Sequence, residues 1–448
     1  MSNPFRRPPQ ASAFRLFLLP LLFLAHPLAL AAFAPAAVAD EATITPVSQL
    51  AFPDREGLVL QPGYIRDEHI VSPKSVNFHP GGKKVYVNAL EGLETLVYSW
   101  PDLRRLAAVR HTFGPAQAGL FKDGETTIFG YAYYHRGASP DKNVFSGKPV
   151  EGAFSHGGRY FWAPYYRRDY DRNASGPSAV GIIDTETDSL VRVMPTGPLP
   201  KMVAASPDGK LLAVTHWGDN TIGLIDVSSD DPADFTYVKH LVDVSRLDTR
   251  GISGNRDNNC GKCLRGTVFS PDGRYLLVGR MAGGGISVFS VPGGEYRGSF
   301  SAFSPSPRHL VVDPERDWLY ASDSRLGLVG RVRLSEALAS VADGPGRTVP
   351  GPPGEKLNVG VRPRTVALSP DGESMFAALH GSKEIVRVDT KAWRPAERVS
   401  VSPFPVGLDV SPDGAFVGVT SQGRLDNDLS PPRTIGGNSV EFFSVAGK

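Results

Sequence analysis

The sequence has almost no net charge, two cysteines and one long apolar run. It contains 48 Lys and Arg residues against 46 Asp and Glu residues. The charge therefore gives no reason to expect a nucleic acid or another polyanion as a partner. No apolar segment after residue 39 is long enough to span a bilayer. We expect a mature chain without a membrane anchor.

The short motifs that mark common catalytic centres are also missing. The chain has no Gly-x-Ser-x-Gly nucleophile elbow, no His-Glu-x-x-His zinc motif and no phosphate-cradling loop. Covalent haem attachment requires a histidine directly after the second cysteine, and Leu264 stands there. These absences favour a binding protein over an enzyme, and we expect no cofactor.

The first 39 residues have the pattern of a signal peptide. Arg6 and Arg7 precede an apolar run over 16–25, and Ala37-Val-Ala39 is a small-residue cleavage signal. The apolar run is too short for a spanning helix. No cysteine lies near the cleavage site, which excludes a lipoprotein. We expect a periplasmic or secreted protein, in a compartment that permits disulfides.

One hairpin pattern is repeated along the chain. In 264–280 a strand-like run is followed by Ser270-Pro-Asp-Gly273 and a second apolar run. Proline presets φ in such a turn, and glycine tolerates a positive φ at its exit. The totals of 48 glycines and 39 prolines suit many such turns. The other copies are 76–87, 152–162, 203–214, 310–320, 366–376 and 408–417.

This repeat predicts an all-β propeller. The first unit contains four strand-like runs within about forty residues, which is the size of a propeller blade. Seven copies predict seven four-stranded antiparallel blades. The wide gap after the first copy leaves eight blades as an alternative. We favour an inserted hairpin at about 114–147, because too few residues remain there for two further strands.

The two ends of the propeller are expected to meet. Residues 439–445 align with 220–227, which is a third strand, and no fourth strand follows them. The strand-like stretch 43–52, in an N-terminal segment over 40–70, can supply the missing strand. It would close the ring formed by 71–448 and protect an open sheet edge.

The repeat units resemble the YVTN (YncE-like) β-propeller repeat. The resemblance is carried by Pro73-Lys-Ser-Val-Asn-Phe-His-Pro-Gly-Gly-Lys-Lys-Val-Tyr-Val-Asn88 and by the corresponding stretches 200–215 and 363–378. It covers nearly all of 72–445. It implies the propeller fold and says little about function, because such propellers serve many roles.

Basic residues recur at one position of the repeat, five residues before each turn motif. This position opens the first strand of each blade, where the predicted loop-rich face meets the central channel. Five of the seven are basic, and such a ring would attract a ligand with carboxylate or phosphate groups. In the alternative, they pair with acids in the same loops. The seven residues are Lys74, Val150, Lys201, Arg265, Arg308, Arg364 and Val406.

Loops on the same predicted face supply further candidate ligand-binding residues. The segment 165–173 is dense in tyrosine and arginine, which can stack on a planar or anionic ligand and hydrogen-bond to it. In the alternative, these loops are solvated inserts and His216, a lone histidine, is structural. The further candidates are Arg167, Arg168, His216, Asp219, Asn220 and Arg280.

Cys260 and Cys263 are open to three interpretations. A disulfide that staples their loop is the simplest one in an oxidising compartment. A redox-active pair uses the same spacing, although the strand–helix context is missing. As a third possibility, two thiolates with His216 or Met281 could hold copper or zinc.

Residues 307–314 are also similar to the Pro-Arg-His strand of seven-bladed lactonases. That similarity implies that Arg308 and His309 polarise a lactone carbonyl or activate water. The Val-x-Asn-Glu segment of those enzymes is not kept after Val87. We therefore expect an exported, monomeric, non-catalytic propeller that binds an anionic small molecule or another exported protein. A lactonase-like hydrolase and a metal- or redox-associated propeller are the alternatives.

Overall fold

Seven β-sheets surround a central channel, which confirms the predicted seven-bladed propeller. The computed structural model describes residues 43–53, 58–122, 125, 144–248, 254–342, 346–426 and 433–446. The signal peptide predicted over 1–39 lies outside these residues, as does most of the hairpin predicted over 114–147. No helix in the described part of the chain is both long and apolar enough to cross a membrane.

The first three blades follow two leading strands in chain order. The leading strands are β1 (Ile44–Ala51) and β2 (Ile65–Arg66). Blade 1 contains β3 (Pro73–Phe78), β4 (Lys84–Ala89), β5 (Glu94–Ser99) and β6 (Arg105–Arg110). Blade 2 contains β7 (Thr112–Phe113), β8 (Phe145–Pro149), β9 (Ala153–Ser155), β10 (Tyr160–Arg168), β11 (Ser178–Asp184) and β12 (Ser189–Thr196). Blade 3 contains β13 (Pro200–Ala205), β14 (Leu211–His216), β15 (Thr221–Asp226) and β16 (Thr236–Val242).

The remaining blades repeat the same order. Blade 4 contains β17 (Leu264–Phe269), β18 (Tyr275–Arg280), β19 (Ile286–Ser290) and β20 (Tyr296–Phe300). Blade 5 contains β21 (His309–Asp313), β22 (Trp318–Asp323), β23 (Leu328–Arg333) and β25 (Glu355–Asn358). Helix α1 (Leu334–Ala342) and β24 (Thr348–Val349) lie between β23 and β25 in the chain, and β24 pairs with β20 at the edge of blade 4. Blade 6 contains β26 (Pro363–Leu368), β27 (Ser374–Leu379), β28 (Glu384–Asp389) and β29 (Arg394–Ser400). Blade 7 contains β30 (Pro405–Val410), β31 (Phe416–Ser421), the hairpin β32 (Arg424–Asp426) and β33 (Arg433–Ile435), and β34 (Ser439–Val445). Short 3₁₀ turns in the described residues span Pro115–Leu120, His156–Gly158 and Pro232–Asp234.

The ring closes as the sequence predicts. Strand β1 pairs antiparallel with β34, from Ile44 opposite Val445 to Ala51 opposite Ser439. It therefore supplies the outer strand that blade 7 lacks. Leu50 is fully buried in the contact between blades 7 and 1. The N-terminal strand thus contributes both backbone hydrogen bonds and apolar contact to the closure.

The Ser-Pro-Asp-Gly turns have the same internal hydrogen bonds in four blades. In the blade 4 turn the Ser270 hydroxyl donates to Asp272 at 2.6 Å, and the Gly273 N–H donates to the Ser270 carbonyl at 2.9 Å. Gly273 has φ +70°, a left-handed conformation that glycine adopts without strain. The turn chemistry therefore fixes where the second strand begins.

The hydrophobic core lies between neighbouring blades. Among the described residues it divides into seven clusters, one for each contact between successive sheets. Each blade buries its two faces, so its inner strands consist of nearly continuous apolar residues. This packing holds the seven first strands at fixed positions around the channel.

Candidate functional site

The central channel is lined by the innermost strand of six blades and, in blade 2, by the residues directly before β9. The cavity measures about 530 Å³, and its walls include Ser75, Glu151, Met202, Thr267, His309, Thr365 and Gly407. Each of these seven residues belongs to a different blade. Four of these residues directly follow a basic residue of the predicted ring, so those basic residues lie at one end of the channel. The four basic residues are Lys74, Lys201, Arg308 and Arg364.

A shared backbone kink sets this register. In five blades, the residue two positions before the predicted basic position adopts a left-handed conformation, with φ between 53° and 64°. A non-glycine residue in this region is uncommon and costs energy. Five repeats of it indicate that each kink turns the chain into the first strand in the same way. The kinked residues are Ser72, Leu199, Cys263, Arg362 and Phe404.

The five basic residues of the predicted ring are close enough to influence one another's charge. We call this set, Lys74, Lys201, Arg265, Arg308 and Arg364, the basic mouth. Repulsion from Arg265 contributes to lowering the pKa of each of the other four members. The structure thus brings together the residues that the repeat register predicts.

Glu151 is the acidic residue around which the basic mouth is arranged. Its side chain is 8% exposed, it is hydrogen-bonded to Arg265, and its Oε1 lies 4.0 Å from Lys74 Nζ. Burial works to raise the pKa of Glu151, but the surrounding cations, Arg265 first, outweigh it and lower that pKa to about 2. Glu151 is therefore ionised at every physiological pH.

Lys201 occupies an aromatic and acidic pocket at the rim. Its Nζ lies 3.9 Å from the centre of the Tyr166 ring, 5.1 Å from that of Trp217 and 3.1 Å from Asp257 Oδ1. Burial lowers the pKa of Lys201 to about 8, while Asp257 opposes this change. Asp257 and the two rings thus keep Lys201 charged at neutral pH.

Arg308 and Arg364 have less compensation from acidic groups than Lys201 has. Burial, followed by repulsion from Arg265 and Arg364, lowers the pKa of Arg308 well below its usual value. Burial and repulsion from Arg265 lower the pKa of Arg364 to about 10. Guanidinium groups stay protonated in proteins, so such shifts report unfavourable electrostatic energy rather than loss of charge. An anion bound above the channel would lower this electrostatic energy.

Three loop candidates are used within the fold, and a fourth is partly exposed. Arg168 is 2% exposed and stacks on Phe145, with its guanidinium 4.3 Å from the ring centre. The His216 ring is buried: its Nε2 accepts the Gly197 N–H at 3.1 Å and its Nδ1 lies 2.8 Å from Thr221 Oγ1. The Thr221 hydroxyl in turn donates to Asp219 at 2.7 Å. Burial lowers the pKa of His216 to about 3, so it is neutral and structural. Arg167 is partly exposed: it donates to the Arg172 carbonyl at 2.6 Å, and its guanidinium lies 5.0 Å from the centre of the Tyr166 ring.

Arg280 also lies away from the basic mouth. It is 1% exposed and bonded to the buried Asp243, and it donates to Ser299 at 2.8 Å and to Tyr296 at 2.7 Å. These partners lie on the outer strand of blade 4 and in the loop after blade 3. The side chain therefore points away from the channel, and its charge is neutralised.

The two cysteines form the predicted disulfide. The disulfide loop is held to blade 3 by Asn220, whose Oδ1 accepts the Lys262 N–H at 2.7 Å. The Met281 N–H donates to the Cys263 carbonyl at 3.1 Å. A disulfide leaves no thiolate for a copper or zinc site, and the described residues contain no cluster of three or more His, Cys, Asp or Glu suited to a metal ion.

His309 lies beneath the basic mouth, on the wall of the channel. Burial and Arg265 lower the pKa of His309 to about 4, so the ring is neutral. Its Nδ1 is buried without a hydrogen-bond partner in the described structure. Arg308 contacts Met281, with its Nη1 3.5 Å from the thioether sulfur.

The repeat register does not select Glu151. In blade 2 the register position is Val150, and the charge stands on the next residue. The register also does not select Tyr166 and Trp217, whose rings flank Lys201. A search for charge one residue beyond each basic position would have found Glu151.

Comparisons with known proteins support the propeller scaffold. No family model matches the chain. The hydrazine synthase subunit beta of Kuenenia stuttgartiensis is 25% identical over 247 residues, which is 48% of this chain. The match spans 59% of that relative's length.

Solved structures show the same fold at low identity. Hydrazine synthase of Kuenenia stuttgartiensis aligns with a TM-score of 0.53 and 14% identity, over 81% of this chain and 96% of that one. The β-propeller domain of Cps50 (Swd1) from Myceliophteria thermophila aligns with a TM-score of 0.56 and 14% identity, over 84% and 97%. The chain is thus a β-propeller with distant similarity to a hydrazine synthase subunit.

Proposed function

We propose that this chain is an exported, non-catalytic β-propeller of the YVTN type whose basic mouth binds a small anionic ligand. The observation that carries the proposal is the excess of positive charge. Five cations surround Glu151 and Asp257, and the pKa of four of them is lowered. Because charge that is buried without a partner is costly, a bound anion would stabilise this arrangement. The signal-like residues 1–39 and the disulfide support export.

Binding fits the mouth better than hydrolysis does. A general base must be able to accept a proton near neutral pH, and burial together with Arg265 lowers the pKa of His309 to about 4. Arg308 contacts the Met281 thioether, and the charges that act on it are those of Arg265, Arg364, Glu151 and Asp257. These surroundings favour holding an anion over activating water.

Calorimetric titration with inorganic phosphate tests the proposal. We expect saturable binding at low ionic strength that weakens as salt is added, because screening reduces the attraction. Arg364→Gln should weaken binding about tenfold, the effect of losing one charge-assisted hydrogen bond. Arg274→Gln is the matched control, because Arg274 is 74% exposed and lies in the turn opposite the mouth.

Absence of saturable phosphate binding at low salt would refute the proposal. Equal weakening by the two substitutions would also refute it, because the attraction would then be a property of the whole surface rather than of the mouth.

A second candidate is that the anion belongs to a partner protein. The similarity to a protein described as a subunit favours it. Under this candidate, a Glu-rich peptide should bind more tightly than phosphate, and phosphate should compete with it. A peptide that binds without competition would place the interaction away from the basic mouth.

A further inference from the structure

A second group of arginines extends the basic mouth to one side. A cavity of about 630 Å³ opens beside the channel, over blades 5 and 6. Two of its arginines, Arg308 and Arg364, belong to the basic mouth. The other two, Arg325 and Arg362, are exposed on the loops that follow β22 and precede β26. We call this cavity the arginine cleft.

The arginine cleft has no acidic wall among the described residues. Its lining consists of arginines and of uncharged side chains. None of the four arginines forms an ion pair with a described carboxylate. The Nε of Arg364 is buried without a hydrogen-bond partner in the described structure. By contrast, the opposite side of the basic mouth contains Glu151 and Asp257.

The outer part of the cleft is also apolar. Leu326 is 52% exposed and Val361 57% exposed, although both are large hydrophobic residues. Met281 completes the wall next to Arg308. A continuous path therefore leads from the cations above the channel, along apolar side chains, to two further guanidinium groups.

We propose that the arginine cleft is a second anion subsite, so that the ligand is an elongated dianion whose apolar linker joins two carboxylate groups. This proposal rests on the proposed function and specifies its ligand class. One carboxylate binds above the channel near Arg265 and Arg308. The linker lies against Leu326 and Val361, and the second carboxylate binds Arg325 and Arg362. Planar guanidinium groups match carboxylates with two parallel hydrogen bonds.

The test compares monocarboxylates with α,ω-dicarboxylates of the same carbon number, by calorimetry at constant ionic strength. We expect at least one dicarboxylate chain length to bind about tenfold more tightly than its monocarboxylate, the effect of one added charge-assisted contact. Very short and very long linkers should lose this advantage, because they cannot reach both ends.

A double variant locates the second subsite. In Arg325→Gln/Arg362→Gln, the dicarboxylate should bind about as weakly as the monocarboxylate, while monocarboxylate binding stays unchanged. Both side chains are exposed, so the fold should tolerate the change. Arg274→Gln together with Arg333→Gln is the control, because it removes the same charge at exposed positions outside the cleft.

The outcomes separate the two proposals. Equal affinity of mono- and dicarboxylates at every length would overturn the second subsite and leave anion binding at the basic mouth standing. An equal loss for both ligands in the double variant would also overturn it, because the arginines would then act only through long-range charge. Absence of binding by every anion would overturn the proposed function itself.

Discussion

Glu151→Gln should destabilise the protein and make its stability depend on added anions. Glu151 is 8% exposed, and Arg265 together with Lys74 lowers its pKa to about 2 against burial, from an ordinary 4.5. The difference corresponds to about 3 kcal/mol of stability. Loss of this carboxylate removes the ion-pair partner of Arg265 and of Lys74, a change that is strongly destabilising in buried ion pairs.

For a chain of this size, about 3 kcal/mol corresponds to a melting temperature lower by about 4 °C. The direction in which stability changes with pH follows from the lowered pKa of Glu151. The stabilisation by Glu151 is complete above pH 4.5 and is lost as the pH falls towards 2. The variant should therefore lose less stability than the wild type on acidification over this range.

Differential scanning fluorimetry with and without phosphate measures the effect. Phosphate should raise the melting temperature of Glu151→Gln more than that of the wild type, because it replaces a missing negative charge. Glu315→Gln is the control, since Glu315 is exposed and lies away from the mouth. An unchanged melting temperature in Glu151→Gln would refute the reasoning about the basic mouth. So would an equal increase in melting temperature with phosphate in Glu151→Gln and Glu315→Gln.

Three further predictions concern the ring, the disulfide loop and the channel. Deleting residues 40–52 removes β1 and should lower the melting temperature of the whole ring; an unchanged melting temperature would contradict the closure. Cys260→Ser should reduce the free energy of phosphate binding more than the free energy of unfolding, because the disulfide loop positions Arg265. Calorimetry and denaturant titration measure the two changes. A larger loss in unfolding free energy than in binding free energy would make the loop merely structural. Burial raises the pKa of Asp409 to about 7, so this group stabilises the fold below pH 3.8 and the effect is lost as pH rises through 7. Asp409→Asn should remove this loss of stability at rising pH, which amounts to at most about 4 kcal/mol. A variant whose stability depends on pH as that of the wild type does would contradict this prediction.

The fold followed from the sequence because each blade repeats one local pattern. Ser270-Pro-Asp-Gly273 defines a turn through its own side chain and a left-handed glycine, so no distant contact is needed to recognise it. Ring closure was predictable for a similar reason: blade 7 lacked a strand, and 43–52 was the unused strand-like stretch. The basic mouth was predictable because equivalent positions in a repeat must lie at equivalent places around the axis.

The remaining candidates show where this reasoning ends. Arg280 stands at the end of a strand, as a mouth residue would, but its direction is set by Asp243, 37 residues earlier. His216 is held by Gly197 from the preceding connection. Such partners lie on neighbouring strands and loops, so a pattern within one strand does not reveal them. The arginine cleft was missed because Arg325 lies in a loop, and because Arg362 stands at a repeat position that is not basic in the other kinked blades.

Crystals soaked in selenate provide the most direct measurement. Selenium scatters anomalously, so the anion can be located independently of the surrounding water. The account predicts an anomalous peak above the channel, within hydrogen-bonding distance of Arg265, Arg308 or Arg364. The peak should be lost in Arg364→Gln and kept in Arg274→Gln. A basic mouth without selenate, in crystals that bind it elsewhere on the same chain, would contradict the central claim.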